Sequence, residues 1–156
     1  MSDARTADLP ADELVAALHP YGQWTGQHTT AAAAQIAELV RYLNHATIER
    51  PSEALPDPNT TAAVLGALHT TCTRLPQLLS QLRARIRAFE TDPDLATSST
   101  DVDIPAGTRF TAAEILAARA AQAIARAESV VWQFTTAIGD AHQAVDPLYL
   151  DIENDE

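Results

Sequence analysis

Lysine is absent from this chain: all ten basic residues are arginine, set against 21 Asp and Glu, for a formal charge of -11. That balance argues against affinity built on phosphate neutralisation, so neither a nucleic acid nor an anionic membrane surface is expected as a partner. Cysteine is nearly absent too. Cys72 alone cannot form an internal disulfide, so nothing covalent staples the fold and a reducing, cytoplasmic setting is the simpler expectation. Aromatic residues are only 5%, and the five glycines include no Gly-x-Gly arrangement for a phosphate loop. No apolar run approaches the ~18 residues that span a bilayer, and the N-terminus lacks the charged-then-apolar pattern of a secretory signal.

What remains is an alanine-rich, helix-forming chain of one-domain size, 156 residues and 46% hydrophobic. Alanine makes close helix packing, rather than bulky layers, the source of the core. No alternating β pattern or long internal repeat occurs. The expected fold is all-α: an up-down bundle of three long helices preceded by a short one, with residues 10–147 as a single domain between a disordered 1–9 and an acidic tail at 148–156.

Local signals place the helices. Pro10 suits the start of a short first helix that stops near Pro20. Thr29 or Thr30 offers an N-cap for a second helix to about Ile48, ended by Pro51, Pro56 and Pro58. Asn59 or Thr60 then caps a third, in which Leu65, Leu68, Cys72, Leu75, Leu79, Leu82, Ile86 and Phe89 repeat at alternating spacings of three and four. That is a heptad seam, and Pro76 beside it predicts one bent helix rather than two. A capping box, Thr111-Ala-Ala-Glu114, opens the fourth helix. Its own seam runs through Leu116, Ala120, Ile124, Ala127, Val131, Phe134, Ile138, Ala141 and Val145 to a stop at Pro147. Val130 and Trp132 lie outside it and widen the apolar face, so this helix is expected to touch more than one neighbour. The connection at about 90–110 exceeds the usual length between antiparallel helices and leaves their spatial order open.

Chemistry-bearing patterns are sparse. His19, His28, His45, His69 and His142 raise a metal-binding reading, for which His45 with Glu49, converging with His142, is the candidate set in a ligand- or metal-binding bundle, enzymatic or not. The Glu-x-x-His, His-Glu-x-x-His and Cys-x-x-Cys spacings of established sites are missing, and Cys72 occupies a seam position where it serves as a small hydrophobe. Serines and threonines fall in caps and loops without a His or Asp pattern. No catalytic residue and no cofactor is therefore expected.

The charge pattern is more informative. The third helix carries Arg74, Arg83, Arg85 and Arg87 and no acid between Thr60 and Phe89. Arg83 and Arg85 flank the seam at positions where paired helices choose partners by ion pairing. Either they pair internally with Glu38, Glu128 or Asp140 or form a solvated face, or the end formed by Leu82, Arg83, Arg85, Ile86, Arg87 and Phe89 receives an acidic protein partner or, in a homodimer, the acidic tail of a second copy. The expected function is that of a non-enzymatic, acidic helical adaptor or regulator.

Two short motifs carry a resemblance. Trp24-Thr25-Gly26 is similar to the Trp-x-Gly turn, and Tyr149-x-x-x-Glu153 to the Tyr-x-x-x-Asp/Glu export signal, of type VII secretion substrates, small helical proteins of actinobacteria. The family's turn joins two long helices, whereas here the triplet precedes the first long one. The resemblance implies an exported substrate; the residue-level alternative folds Tyr149, Leu148 and Leu150 back onto the bundle.

Overall fold

A computed structural model describes residues 10–19, 22, 24–105 and 107–148. The tail motif Tyr149 and Glu153, and the segment 1–9, lie outside the described residues. The chain is all-α, and the described residues form five helices in order: α1 Ala11–Leu18, α2 Gly26–Glu49, α3 Pro51–Ala54, α4 Pro58–Phe89 and α5 Ala112–Val145. Among the described residues there is no strand, and no helix is long and apolar enough to cross a membrane. The helices fall into two compact units, residues 1–56 and 57–156.

In the first unit, α2 begins four residues earlier than the threonines at 29 and 30 suggest. Thr25, in extended conformation, accepts a hydrogen bond from the His28 N–H at 3.2 Å, while Thr29 and Thr30 donate their hydroxyls back to the carbonyls of Thr25 and Gly26. A residue already inside the helix spends its hydroxyl on the preceding turn, so the cap falls to the threonine before the glycine. Pro51 does end α2, and it also opens a new turn as the first residue of α3, where its missing N–H costs nothing. His19 donates from Nε2 to Gln35 Oε1 at 2.7 Å, tying the end of α1 to α2. No residue of α2 is fully buried; Ile36, Leu39 and Val40 of its apolar stripe stand about half or more exposed.

The second unit is a helical hairpin. Asp57, rather than Asn59 or Thr60, caps α4: its Oδ1 accepts from the Thr60 N–H at 2.7 Å, with Pro58 at the first helical position. A charged carboxylate is a stronger acceptor than a hydroxyl at the positive end of the helix dipole. The helix continues through Pro76 as one element of 32 residues. The capping box of α5 is present as expected, with the Glu114 N–H donating to Thr111 Oγ1 at 3.2 Å and the Thr111 N–H to Glu114 Oε2 at 2.6 Å.

Hydrogen bonding from Thr111 to the Glu114 carboxyl, by its backbone N–H first and its side chain second, holds that carboxyl below its usual pKa. A lowered folded-state pKa means stability that is present above the unfolded pKa and lost as pH falls through the folded one. Urea titrations of Glu114→Gln and the parent should therefore differ near neutrality and converge on acidification past the ordinary glutamate range. Thr111→Ala, which removes the cap itself, should cost about 1 kcal/mol.

Candidate interaction face of the helical hairpin

The contacts across α4 and α5 define an antiparallel register. The His142 imidazole lies against Gly66 and that of His69 against Gly139, while Arg83 pairs with Glu128 at 3.0 Å; rising numbers on one helix meet falling numbers on the other. The 90–110 segment thus connects adjacent antiparallel helices. Glycine and histidine interlock reciprocally. Each helix carries Gly-x-x-His, Gly66-Ala-Leu-His69 and Gly139-Asp-Ala-His142, and each imidazole fills the space a Cβ on the opposite glycine would take, 3.1 and 3.2 Å from it. This repeat was readable in the sequence and its pairing was not.

Gly139→Ala should therefore cost more in the parent than in a His69→Ala background, by about 1 kcal/mol in a double-mutant cycle measured by denaturant titration. Alone, alanine gains helix propensity of about 1 kcal/mol over glycine, so additivity would show that the imidazole yields freely.

The seam itself is rotated from the one the leucines suggest. On α4 the positions turned toward α5 are Ala62, Leu65, His69, Cys72, Pro76, Leu79, Arg83 and Ile86; on α5 they are Ala117, Ala121, Ile124, Glu128, Val131, Thr135, Ile138, His142 and Val145, all buried or half-buried. Four of the eight seam positions expected on α4 and four of the nine on α5 are retained. Elsewhere His69, Pro76 and Arg83 replace Leu68, Leu75 and Leu82, and Ala117, Ala121, Glu128, Thr135 and His142 replace Leu116, Ala120, Ala127, Phe134 and Ala141. The physical reason is close approach. Small or flat groups (alanine, threonine, proline, imidazole on glycine) let the backbones come together, and the Thr135 hydroxyl stays satisfied by donating to Val131 O at 2.8 Å.

The displaced large residues move to the flank. In an antiparallel pair the same rotational offset on both helices points to the same side, so the flanking positions of α4 and α5 form one surface two helices wide. It bears Leu68, Leu75, Leu78 and Leu82 from α4 and Leu116, Ala123, Ala127, Val130 and Phe134 from α5. Leu78, Leu82, Val130 and Phe134 are 43, 46, 62 and 54% exposed. No carboxylate stands at a flanking position. Trp132, 60% exposed, lies on the opposite side.

The residues singled out from the sequence are divided by this geometry. Leu82 belongs to the exposed face. Arg85 stacks its guanidinium over the Phe89 ring at 4.5 Å at the same end, and Phe89 is half-buried. Ile86 lies in the seam, and Arg83 is drawn inward to Glu128 with 30% and 17% of the two side chains exposed. Arg87 turns to the other side, lining an open cavity of about 550 Å³ with Glu90, Phe110, Glu114 and Arg119. Its two arginines and two glutamates balance, so the cavity selects no ligand charge. Leu78 and Val130 are the members the heptad pattern left out, Val130 alone of the two having a sequence signal, while Phe134 stood in the expected α5 seam.

Of the candidate metal set, His45 and Glu49 meet on α2 at 3.3 Å, with both side chains largely exposed, and His142 is on α5 in the second unit, against Gly66. Among the described residues no three His, Cys, Asp or Glu side chains gather where an ion would hold them. The Trp24-Thr25-Gly26 triplet leads from the eight-residue α1 into α2, and Trp24 is 77% exposed.

No protein family's sequence profile matches the chain, and no curated protein or solved structure shows significant similarity to it.

Proposed function

We propose that the protein is a non-enzymatic interaction protein of the cytoplasm, a small acidic helical adaptor or regulator that works by presenting the apolar side of the α4–α5 hairpin to another helical surface. The supporting observation is that side: two helices wide, free of carboxylates in a chain of charge -11, with leucine, valine and phenylalanine about half exposed. A soluble chain with 21 acids has many ways to interrupt such a surface, and large contiguous apolar patches usually mark contact sites.

Leu82, Arg85 and Phe89 form the end of this side nearest the arginine cluster, which favours an approaching surface of acidic character. The test is a tagged pull-down from the native host with mass spectrometry, comparing the parent with Leu82→Gln/Val130→Gln and with Trp132→Gln. Loss of a stoichiometric protein in the first variant and its retention in the second is expected. Recovery of no stoichiometric protein, together with turnover of a metabolite, would overturn the reading.

Reversing Arg85 and Arg87 to Glu should mainly slow association and flatten its salt dependence, because exposed charges act on encounter more than on residence. Stopped-flow association rates at two ionic strengths measure both effects.

A further inference from the structure

We infer that the occupant of the apolar side is a second copy of this chain, the two α4–α5 hairpins packing face to face as an antiparallel four-helix bundle whose two-fold axis runs parallel to the helices. The inference rests on the interaction reading above and specifies its partner.

Three observations carry it. The first is shape. The surface is unequal across its width: α4 contributes the large side chains Leu68, Leu75, Leu78 and Leu82, whereas α5 contributes, besides Leu116, Val130 and Phe134, mainly small ones, Ala120, Ala123, Ala127, Ala137, Ala141 and Ala144. A two-fold axis along the helices sets the α4 of one copy antiparallel on the α5 of the other, so a leucine ridge meets an alanine groove twice over. Such a surface is self-complementary, which is what an isologous contact requires. The perpendicular axis would instead stack leucine on leucine and alanine on alanine, overfilling one half and leaving voids in the other.

The second is area. In the register set by the α4–α5 contacts the helices of 32 and 34 residues overlap over roughly 39 Å at 1.5 Å per residue, and two neighbouring helices span about 20 Å. Each copy would bury ~800 Å², and the pair ~1,600 Å², within the ~1,200–2,000 Å² of stable specific interfaces.

The third is charge. This arrangement brings the 90–110 segments of both copies to one end, which should repel in so acidic a chain. Residues 83–128, however, hold six arginines against seven acids, so the two ends meet nearly neutral, and the apolar side has no carboxylate to bury.

Sedimentation equilibrium of the full chain tests the inference. A dimer at about 10 μM is expected, with Leu78→Glu and Phe134→Glu each raising the dissociation constant by about 30-fold or more at unchanged helical circular dichroism, and Trp132→Glu leaving it within about threefold. Should either glutamate unfold the chain, Leu82→Gln/Val130→Gln replaces it and must show the same weakening. Spin labels at Gln122→Cys in a Cys72→Ala background read the axis. Separations near 25 Å fit the axis parallel to the helices, and separations near 40 Å the perpendicular one. A monomer at 100 μM, a dimer indifferent to all these substitutions, or the longer separation overturns the inference. The failures are distinguishable: a monomer whose apolar-side variants still lose a different stoichiometric protein in the pull-down removes the self-association and keeps the interaction function.

Discussion

Replacing Arg83 alone by methionine should destabilise the hairpin by about 3 kcal/mol, and replacing Arg83 and Glu128 together by leucine should restore or exceed the parent stability. The pair sits inside the α4–α5 seam, N–O 3.0 Å apart, with Glu128 only 17% exposed, and Glu128 Oε1 is buried without a hydrogen-bond partner. Arg83 is therefore the ion-pair partner of this carboxylate in a mostly apolar seam. Removing the guanidinium leaves an uncompensated charge with both oxygens short of donors. The double replacement removes the desolvation penalty along with the attraction, and leucine is the residue a heptad seam accepts most readily. Denaturant titration of Arg83→Leu, Glu128→Leu and the double at one protein concentration gives the coupling energy. A double variant as unstable as Arg83→Met would show that the seam at this level lacks the volume for two leucines. The same cycle bears on specificity: an ion pair at one level fixes the register of α4 on α5, and with it the alignment of the flanking apolar side.

How much of this arrangement the residues announce depends on the scale at which they act. Helix positions follow from local chemistry. Thr111 and Glu114 are a complete cap within four residues, and Pro51 and Pro147 mark ends that no packing can override. The cap of α2 went to Thr25 because several threonines compete there and the winner depends on which turn forms first in the helix. The seam was legible only in part. Leu65, Cys72, Leu79 and Ile86, and Ile124, Val131, Ile138 and Val145, are inside on either reading, whereas the alternate positions turn on a choice between Leu68, Leu75 and Leu82 and their neighbours His69, Pro76 and Arg83. Ranking by hydrophobicity selects the leucines. Helix approach selects the neighbours, since Gly66 and Gly139 each receive an imidazole and Glu128 receives Arg83, and these are pair properties that a single helix's periodicity does not contain. The candidate face inherits that blind spot: Leu82 and Arg85 were visible as part of an arginine-rich end, while Phe134 joins it only once the seam has turned away from that position, and Leu78, outside the expected seam, acquires its meaning only beside it.

Pro76→Ala should stabilise the hairpin by about 2 kcal/mol, raising the thermal midpoint of this unit of 100 residues by roughly 10 °C. Proline in a helix interior removes the N–H that would bond the carbonyl four residues back, here that of Cys72, itself 5% exposed. It also presses its ring on that carbonyl, at a typical cost of ~3 kcal/mol relative to alanine. Against this stands the packing of the ring: Pro76 is half-buried in the seam, and alanine leaves behind the volume of two methylenes, worth about 1 kcal/mol. The backbone term is the larger, so the sign favours alanine. Circular dichroism melts at fixed concentration measure the shift, and sedimentation on the same samples separates two roles for the proline. If alanine stabilises the hairpin while leaving the dimer intact, the residue is tolerated strain. If it stabilises the hairpin and weakens the dimer, the proline shapes α4 for its partner, because Leu75 and Leu78 on the apolar side flank it and would be re-aimed by any change in the course of the helix. A net loss of stability would place the ring's packing above the restored hydrogen bond and reverse the balance drawn here.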